Sequence, residues 1–459
     1  MVVTRVWLLA LLVVSLLHAR PANATVGTPR EPQIYVLTFG PGDHPFSRFG
    51  HNAVAVVDPL TERGRVYNFG TFSFHSPTLI SDFLKGRLRY WVSVTRLEQT
   101  LAAYENDNRS VIAQRLNLDA SEKRLLLEKL RWSALPENKY YRYDYYLDNC
   151  STRVRDLLDE VLNGALKKAA RRPAAQTWRQ HTSRLTQGSP AVYLGLNVAL
   201  AGSVDRHNTR WEEMFLPEVL QAELRTLERG GKRFVSEERV LFAANREAPS
   251  PKAPEPARWL FVVGVALALI VHRLGRGLEK SRVLAYVWWV TVSLLGVLSA
   301  ALGLVFWFFW LGTDHAFAHA NENIFLFPVW MLSLPASAWA LLSNRRWGRE
   351  AFYWACLLAA LSAVVGLLLK TSSAFGQDNW MFIALLLPIW IAHAVSAYEL
   401  RQVPLSRNAT QDRESQPSSS PSMARKATTV GTTMSSLSDR ESAPVAIQQV
   451  NTVEMNNLE

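Results

Sequence analysis

The chain is poor in cysteine and in charge: of its 459 residues two are cysteines and 19% are charged, against 49% hydrophobic. Cys356 lies in the apolar string FYWACLLAAL, where a thiol is most simply a small hydrophobe. A cysteine embedded there cannot reach Cys150 across a membrane boundary, so no internal disulfide is expected. No cysteine follows the small-residue site Ala22-Asn23-Ala24, which excludes a lipid-modified N-terminus for the chain itself. The soluble part shows no repeat of fixed period. Basic residues give a net charge of +11, but they are scattered. Together with strong apolar runs, that pattern favours a bilayer surface as the anionic partner and no nucleic acid.

What is present falls into zones. Arg5, the apolar run Val6 to Leu17 and the site ending at Ala24 predict a signal peptide over 1–24. Residues 25–245 predict an exported α+β domain and 246–256, within REAPSPKAPEPAR, an extended linker. Residues 257–400 predict an all-α transmembrane domain of five helices, at about 257–272, 283–312, 323–343, 350–370 and 379–399. Each run is near the length that crosses a hydrocarbon core of about 30 Å. The loops 272–282 and 343–350 and the segment 400–407 carry Lys and Arg, whereas 312–323 and 371–379 carry none. The basic loops are therefore expected in the cytoplasm and the linker outside, in agreement with an exported first domain. The Ser- and Thr-rich stretch 401–459 predicts a disordered cytoplasmic tail.

Within the first domain, Ile34–Phe39, Ala53–Val57 and Arg65–Phe69 predict strands. Asp119 with Glu122 predicts a capping box that opens a helix over 119–133. From 165 to 230 the pattern is mostly helical, with Trp178, Trp211 and Phe215 as core anchors. In YYLDNCSTRVRDLL, Asp148 or Asn149 caps a helix running from Cys150 to Leu162, with Val154, Leu157, Leu158 and Val161 as its buried stripe. Cys150 then occupies the first turn, where backbone N–H groups and the helix dipole are expected to lower a thiol pKa. An odd cysteine in an oxidising compartment is otherwise an intermolecular partner or a buried, inert residue.

His51, in RFGHNAVAV, shares an alternating face with Ala53 and Ala55 and is the candidate base for that thiol. Asn68 in VYNFG is the candidate for orienting the imidazole, with Asn52 as its competitor. Arg48, Asn52, Tyr146 and Asn149 are candidate substrate contacts: Arg48 for a phosphate or glycerol group, Tyr146 as one of a tyrosine run that either lines an acyl pocket or forms a core strand. His315 and His319 are four apart, but no carboxylate completes a zinc pattern, so no metal and no cofactor are expected. That loop is expected to dock onto the first domain or to guide lipid.

The strings RFGHNAVAV, VYNFGTFSF and YRYDYYLDNCSTRVRDLL, followed by a multi-span region, resemble the Lnb-type lipoprotein N-acyltransferases of bacterial envelopes over about residues 31–400. Their His-then-Cys order is similar to the permuted papain-like fold of lecithin:retinol acyltransferase and NlpC-type hydrolases. The resemblance implies a permuted papain-like catalytic domain in the periplasm, anchored in the bacterial inner membrane. It also implies Cys150, His51 and Asn68 as the catalytic set, a membrane lipid as acyl donor and a diacylglyceryl lipoprotein as acceptor. The same dyad would serve a cysteine peptidase or amidase acting on peptidoglycan, and a merely buried Cys150 would leave a non-enzymatic envelope scaffold.

Overall fold

In chain order the first part contains β1 (Gln33–Phe39), β2 (His51–Val57), β3 (Gly64–Thr71), α1 (Leu79–Lys85), β4 (Arg89–Arg96), α2 (Leu97–Asn106), β5 (Val111–Leu116), α3 (Ala120–Ala134), β6 (Tyr140–Arg142), α4 (Cys150–Val161), α5 (Trp178–Thr186), α6 (Pro190–Ala199), α7 (Pro217–Thr226) and β7 (Val235–Phe242). This computed structural model describes residues 31–73, 77–278 and 281–402; the signal peptide expected at 1–24 and the tail beyond 402 lie outside them. The seven strands form one antiparallel sheet in the order β6-β4-β3-β2-β1-β5-β7. The three strands expected from the sequence are all present, and the part is α+β.

Strand alternation divides the core in two. Ile34, Val36, Val54, Tyr67 and Phe69 point to the face covered by α3, α4 and α7, where they meet Leu126, Leu130, Val154, Leu158, Leu220 and Leu224. Phe39, Ala53, Ala55 and Val66 point to the other face, covered by Leu97, Leu101 and Tyr104 of α2. In α4, Val154, Leu158 and Val161 are buried, each contributing about 1.5–3 kcal/mol, while Leu157 is only partly so. Trp178 and Phe215 are core residues as expected, and Trp211 is half-buried. The Asp119 and Glu122 capping box is formed, with Asp119 accepting from Glu122 N at 2.8 Å and Glu122 from Asp119 N at 3.0 Å.

Five segments beyond the linker are long and apolar enough to cross a membrane. They are α8 (Ala257–Arg276), α9 (Arg282–Leu311), residues 322–342 ending in α10 (Leu334–Leu342), α11 (Arg346–Leu369) and α12 (Trp380–Gln402). The third differs from the continuous helix its apolar run suggests. It opens with two 3₁₀ turns, Glu322–Phe325 and Val329–Ser333, because Pro328 supplies no N–H and disfavours a helical residue before it.

The two loops without Lys or Arg both meet the α+β part. Asp314 pairs with Arg87 at 2.7 Å and Arg142 at 3.1 Å, His315 Nε2 lies 2.8 Å from Phe83 O, and Phe317 packs on Tyr146 and Trp178. Gln377 Nε2 donates to Leu200 O at 3.0 Å, and Asp378 N donates to Asp205 Oδ2 at 2.9 Å. Under these loops Lys370 and Glu322 form a buried ion pair. The sequence-based topology and these contacts put the same loops on the side of the α+β part.

Candidate active site

Cys150 is the first residue of α4, held there by a reciprocal cap. Asn149 Oδ1 accepts from Ser151 N at 2.8 Å and Thr152 N at 2.9 Å, and Thr152 Oγ1 accepts from Asn149 N at 2.7 Å. Asn149 Nδ2 donates to Tyr145 O at 2.8 Å and Phe215 O at 3.0 Å. Four of these five bonds are made by the Asn149 side chain and tie it to the scaffold. Asn149 is therefore the cap rather than a substrate contact.

The thiol meets the sheet where its ladder opens. Pairing of β2 with β3 ends at Ala53 and Asn68, and the register of β3 on β4 shifts between Asn68 and Thr71. Gly70, in that interval, has φ +89°, and a Cβ there would lie 3.5 Å from Cys150 Cβ and 3.4 Å from the Tyr143 ring. The conformation calls for glycine, while the contacts a Cβ would make are ordinary van der Waals ones. The backbone N–H groups of Asn52 and Ser151 lie near enough to the Cys150 thiol to favour its charged form. Since the first of these belongs to the His51–Asn52 peptide, nucleophile and candidate base flank one peptide unit.

His51 opens β2, its ring stacked 5.7 Å from Phe39 and 6.1 Å from Tyr104. Its Nε2 faces Asn68 Oδ1 at 3.4 Å. A chain of donors fixes the orientation of that amide. Thr100 Oγ1 donates to Arg96 O at 3.1 Å, so Thr95 donates to Thr100 at 2.7 Å, and Asn68 Nδ2 donates to Thr95 at 3.0 Å. Asn68 consequently presents its oxygen to His51, which places the imidazole proton on Nε2 and leaves Nδ1 as the basic nitrogen. Burial, reinforced by the Arg109 charge and opposed by the Asn68 bond, brings the His51 pKa down to about 4.

The helix start does not lower the thiol pKa as the sequence suggested. Burial raises it above its ordinary value, outweighing the Asn52 and Ser151 N–H groups and the Arg109 charge that pull it down. Both the thiol and the imidazole are thus held in their neutral forms at rest.

The remaining candidates fall elsewhere. The Asn52 side chain is fully buried on the α4 face and donates to Thr38 Oγ1 at 2.9 Å, so among the described residues it is Asn68 that bonds the imidazole. Tyr146 is also a core residue, 4% exposed, its hydroxyl 2.8 Å from Thr182 Oγ1 and its ring stacked on Trp178. That packing replaces the substrate role expected for it. The tyrosine run is not one core strand either: β6 is a three-residue edge strand, and the chain turns through an Asp144–Asp148 bridge before Cys150. Arg48 is half-buried; a Cβ on Gly188 would lie 3.8 Å from its Nη1, and none of its described contacts is with Cys150 or His51.

Arg109 and Tyr90 carry no signal in the sequence reading, whereas Tyr143 belongs to the tyrosine run named there. The Arg109 side chain, 7% exposed, donates from Nε to Gly40 O at 2.9 Å and lies 4.6 Å over Tyr104, whose ring stacks with His51. An arginine in a polar turn carries no periodic signal, and solvation is its ordinary state. Tyr90 and Tyr143 stack at 4.1 Å, and burial, with a smaller contribution from negative charge on Cys150, raises the pKa of both hydroxyls. Among the described residues no group of three His, Cys, Asp or Glu is placed to hold a metal ion.

Residues 27–184 match the family model described as the Lnb N-terminal periplasmic domain, a span that contains His51, Asn68, Arg109 and Cys150. No curated protein and no solved structure matches the chain. Residues 27–184 are thus similar to the Lnb N-terminal periplasmic domain, and five apolar segments long enough to cross a membrane follow them.

Proposed function

We propose that the protein is a thiol acyltransferase of the bacterial inner membrane, which moves an acyl chain from a membrane lipid to the N-terminal amine of a diacylglyceryl lipoprotein. The observation that carries this is a buried thiol at the first turn of α4, influenced by the Asn52 N–H that follows His51, together with an imidazole whose Nδ1 is left basic by the Asn68–Thr95–Thr100 chain. In the first half-reaction His51 Nδ1 takes the thiol proton as sulfur attacks the ester carbonyl. The carbon–oxygen bond to the glycerol breaks, and the alcohol leaves with the proton held by His51, giving an acyl-Cys150 thioester. In the second, the lipoprotein amine attacks that carbonyl, an amide forms, and the amine proton passes through His51 to the departing sulfur. No cofactor is needed for either step.

An antiparallel sheet carrying the His and Asn on neighbouring strands, with the Cys at the start of a helix laid against it, suits the permuted papain-like arrangement. Transfer is favoured over hydrolysis of cell-wall peptide by the docking of both external loops onto the α+β part, which holds Cys150 close to the bilayer where both lipid substrates reside. An amine tethered to that bilayer also arrives at high effective concentration. The test is mass spectrometry of lipoprotein N-termini from cells that lack other N-acylating activity. Cells making the protein should carry an N-terminal amide-linked acyl chain, and cells making the Cys150→Ser variant at equal level should not. Unchanged N-termini in both, or equal acylation in both, would reject the proposal.

A further inference from the structure

Exposed tryptophans lie at both ends of the membrane-crossing segments, and three of them sit at the end next to the α+β part. Trp259 near the start of α8, Trp310 near the end of α9 and Trp380 at the start of α12 are 76%, 37% and 49% exposed. All three ends lie on the side that carries the α+β part, as an interfacial aromatic belt does. Two helices of the α+β part are fastened at this level, and each leaves apolar side chains exposed among its described residues.

The first is α6, PAVYLGLNVA, ten residues with no charge. Asn321 Nδ2 donates to Val198 O at 2.9 Å and to Ala199 O at 3.0 Å, the Tyr193 hydroxyl lies 4.0 Å from Sδ of Met381 in the first turn of α12, and Val198 packs against the membrane-segment core. Its Leu194 nevertheless remains 49% exposed, with Ala191 and Gly195 exposed beside it. The second is α1, with Phe83 42% and Leu84 48% exposed. The His315 ring touches both Phe83 and Phe309, at 6.2 Å each, and Asp314 N donates to Lys85 O at 3.0 Å. Since Phe309 sits two residues before the end of α9, roughly 3 Å along its axis, Phe83 is joined through one ring to the edge of a span.

We propose that α6 and α1 lie within the interfacial layer of the outer leaflet, with Leu194, Phe83 and Leu84 in contact with lipid. The occupant is the bilayer that the spans themselves cross, because each helix is bonded to the end of a span and leaves apolar side chains open beside the tryptophan belt. An uncharged helix such as α6 gains by burying its apolar face at the headgroup and acyl boundary, whereas in water Leu194 would be idle exposed surface. The α+β part then rests on the membrane through two feet instead of standing off it on residues 246–256. This placement does not depend on the acyl-transfer chemistry and can be right or wrong independently of it.

The test uses the full chain carrying Cys150→Ser, reconstituted in vesicles of phosphatidylethanolamine and phosphatidylglycerol, with a nitroxide attached to Leu194→Cys, Phe83→Cys or the control Trp132→Cys. Trp132, on α3, is 60% exposed and makes no described contact with the membrane-crossing segments. The same chain without an added cysteine supplies the labelling background from Cys356. In power-saturation EPR, collisions with oxygen should exceed those with a water-soluble nickel chelate several-fold at 194 and 83, with the order reversed at 132. A water-like ratio at either 194 or 83 overturns the proposal. So does dipolar broadening between labels on separate chains, which would show a second copy covering the face. If a labelled variant fails to assemble, unmodified protein irradiated with a diazirine phospholipid should carry lipid adducts on peptides 190–199 and 77–87; adducts confined to the spans also overturn it.

Discussion

Holding His51 neutral has a consequence that pH can expose. At pH 5 a histidine of ordinary value, about 6.5, is about 97% protonated and unable to accept a proton. His51, with its pKa brought down to about 4, is roughly 90% neutral at the same pH. The fraction of competent base therefore differs by about thirtyfold, and formation of the acyl-Cys150 adduct should stay near its plateau down to pH 5 and fall by half near pH 4. Two substitutions should move this limb in opposite directions. Arg109→Gln removes a charge that opposes protonation and should shift it upward, while Asn68→Ala removes a bond that favours protonation and should shift it downward as it lowers the rate. Stability carries the same sign: the folded value lies below the unfolded one, so stability present above pH 6.5 is lost as pH falls toward 4, by up to about 1.4 kcal/mol per unit. The assay is single-turnover labelling in vesicles between pH 3.5 and 8, with tryptophan fluorescence to mark the range over which the fold persists. A limb near 6.5 that neither substitution moves would refute this assignment of the imidazole.

Gly70→Ala should impair both fold and reactivity, by about 1–2 kcal/mol in stability, because φ +89° is strained for alanine and relaxing it would shift the backbone that packs on Cys150 and Tyr143; denaturant unfolding and labelling rate measure the two effects. Asn149→Ala should cost about 1–2 kcal/mol by removing the cap of α4, with the loss visible as a lower unfolding midpoint; a change within error would contradict the capping role. Reporter fusions after Gly275 and Trp347 should behave as cytoplasmic and fusions after His319 and Gln377 as external, and an external signal at Gly275 would overturn the topology.

Local chemistry made several of these features legible in the sequence. Asp119 with Glu122, and the polar residues before Cys150, announce helix starts because capping is settled within four residues. The alternation that places His51 with Ala53 and Ala55 holds, and it also sends Asn52 to the opposite face, which decides between Asn52 and Asn68 once the β2–β3 register is fixed. That register depends on the turn between the strands. Long-range partners were not legible: β7 pairs with β5 across more than a hundred residues, and Phe317 from an external loop fills the space beside Tyr146. Tyr146 consequently reads as a pocket residue until its partners are present. The thiol pKa was misjudged for a similar reason, since the first turn of a helix is visible in sequence and the depth of burial that outweighs it is not.

The most direct measurement is the intact mass of the purified chain after incubation in lipid, with and without a diacylglyceryl peptide bearing a free N-terminal cysteine. Without the peptide, the protein should gain the mass of one acyl chain on Cys150, removable by hydroxylamine as a thioester is. With it, the gain should disappear from the protein and reappear on the peptide as an amide that hydroxylamine leaves intact. No adduct on Cys150 under either condition, or an adduct whose chain is released as free fatty acid at the same rate with and without the peptide, would contradict acyl transfer through this thiol.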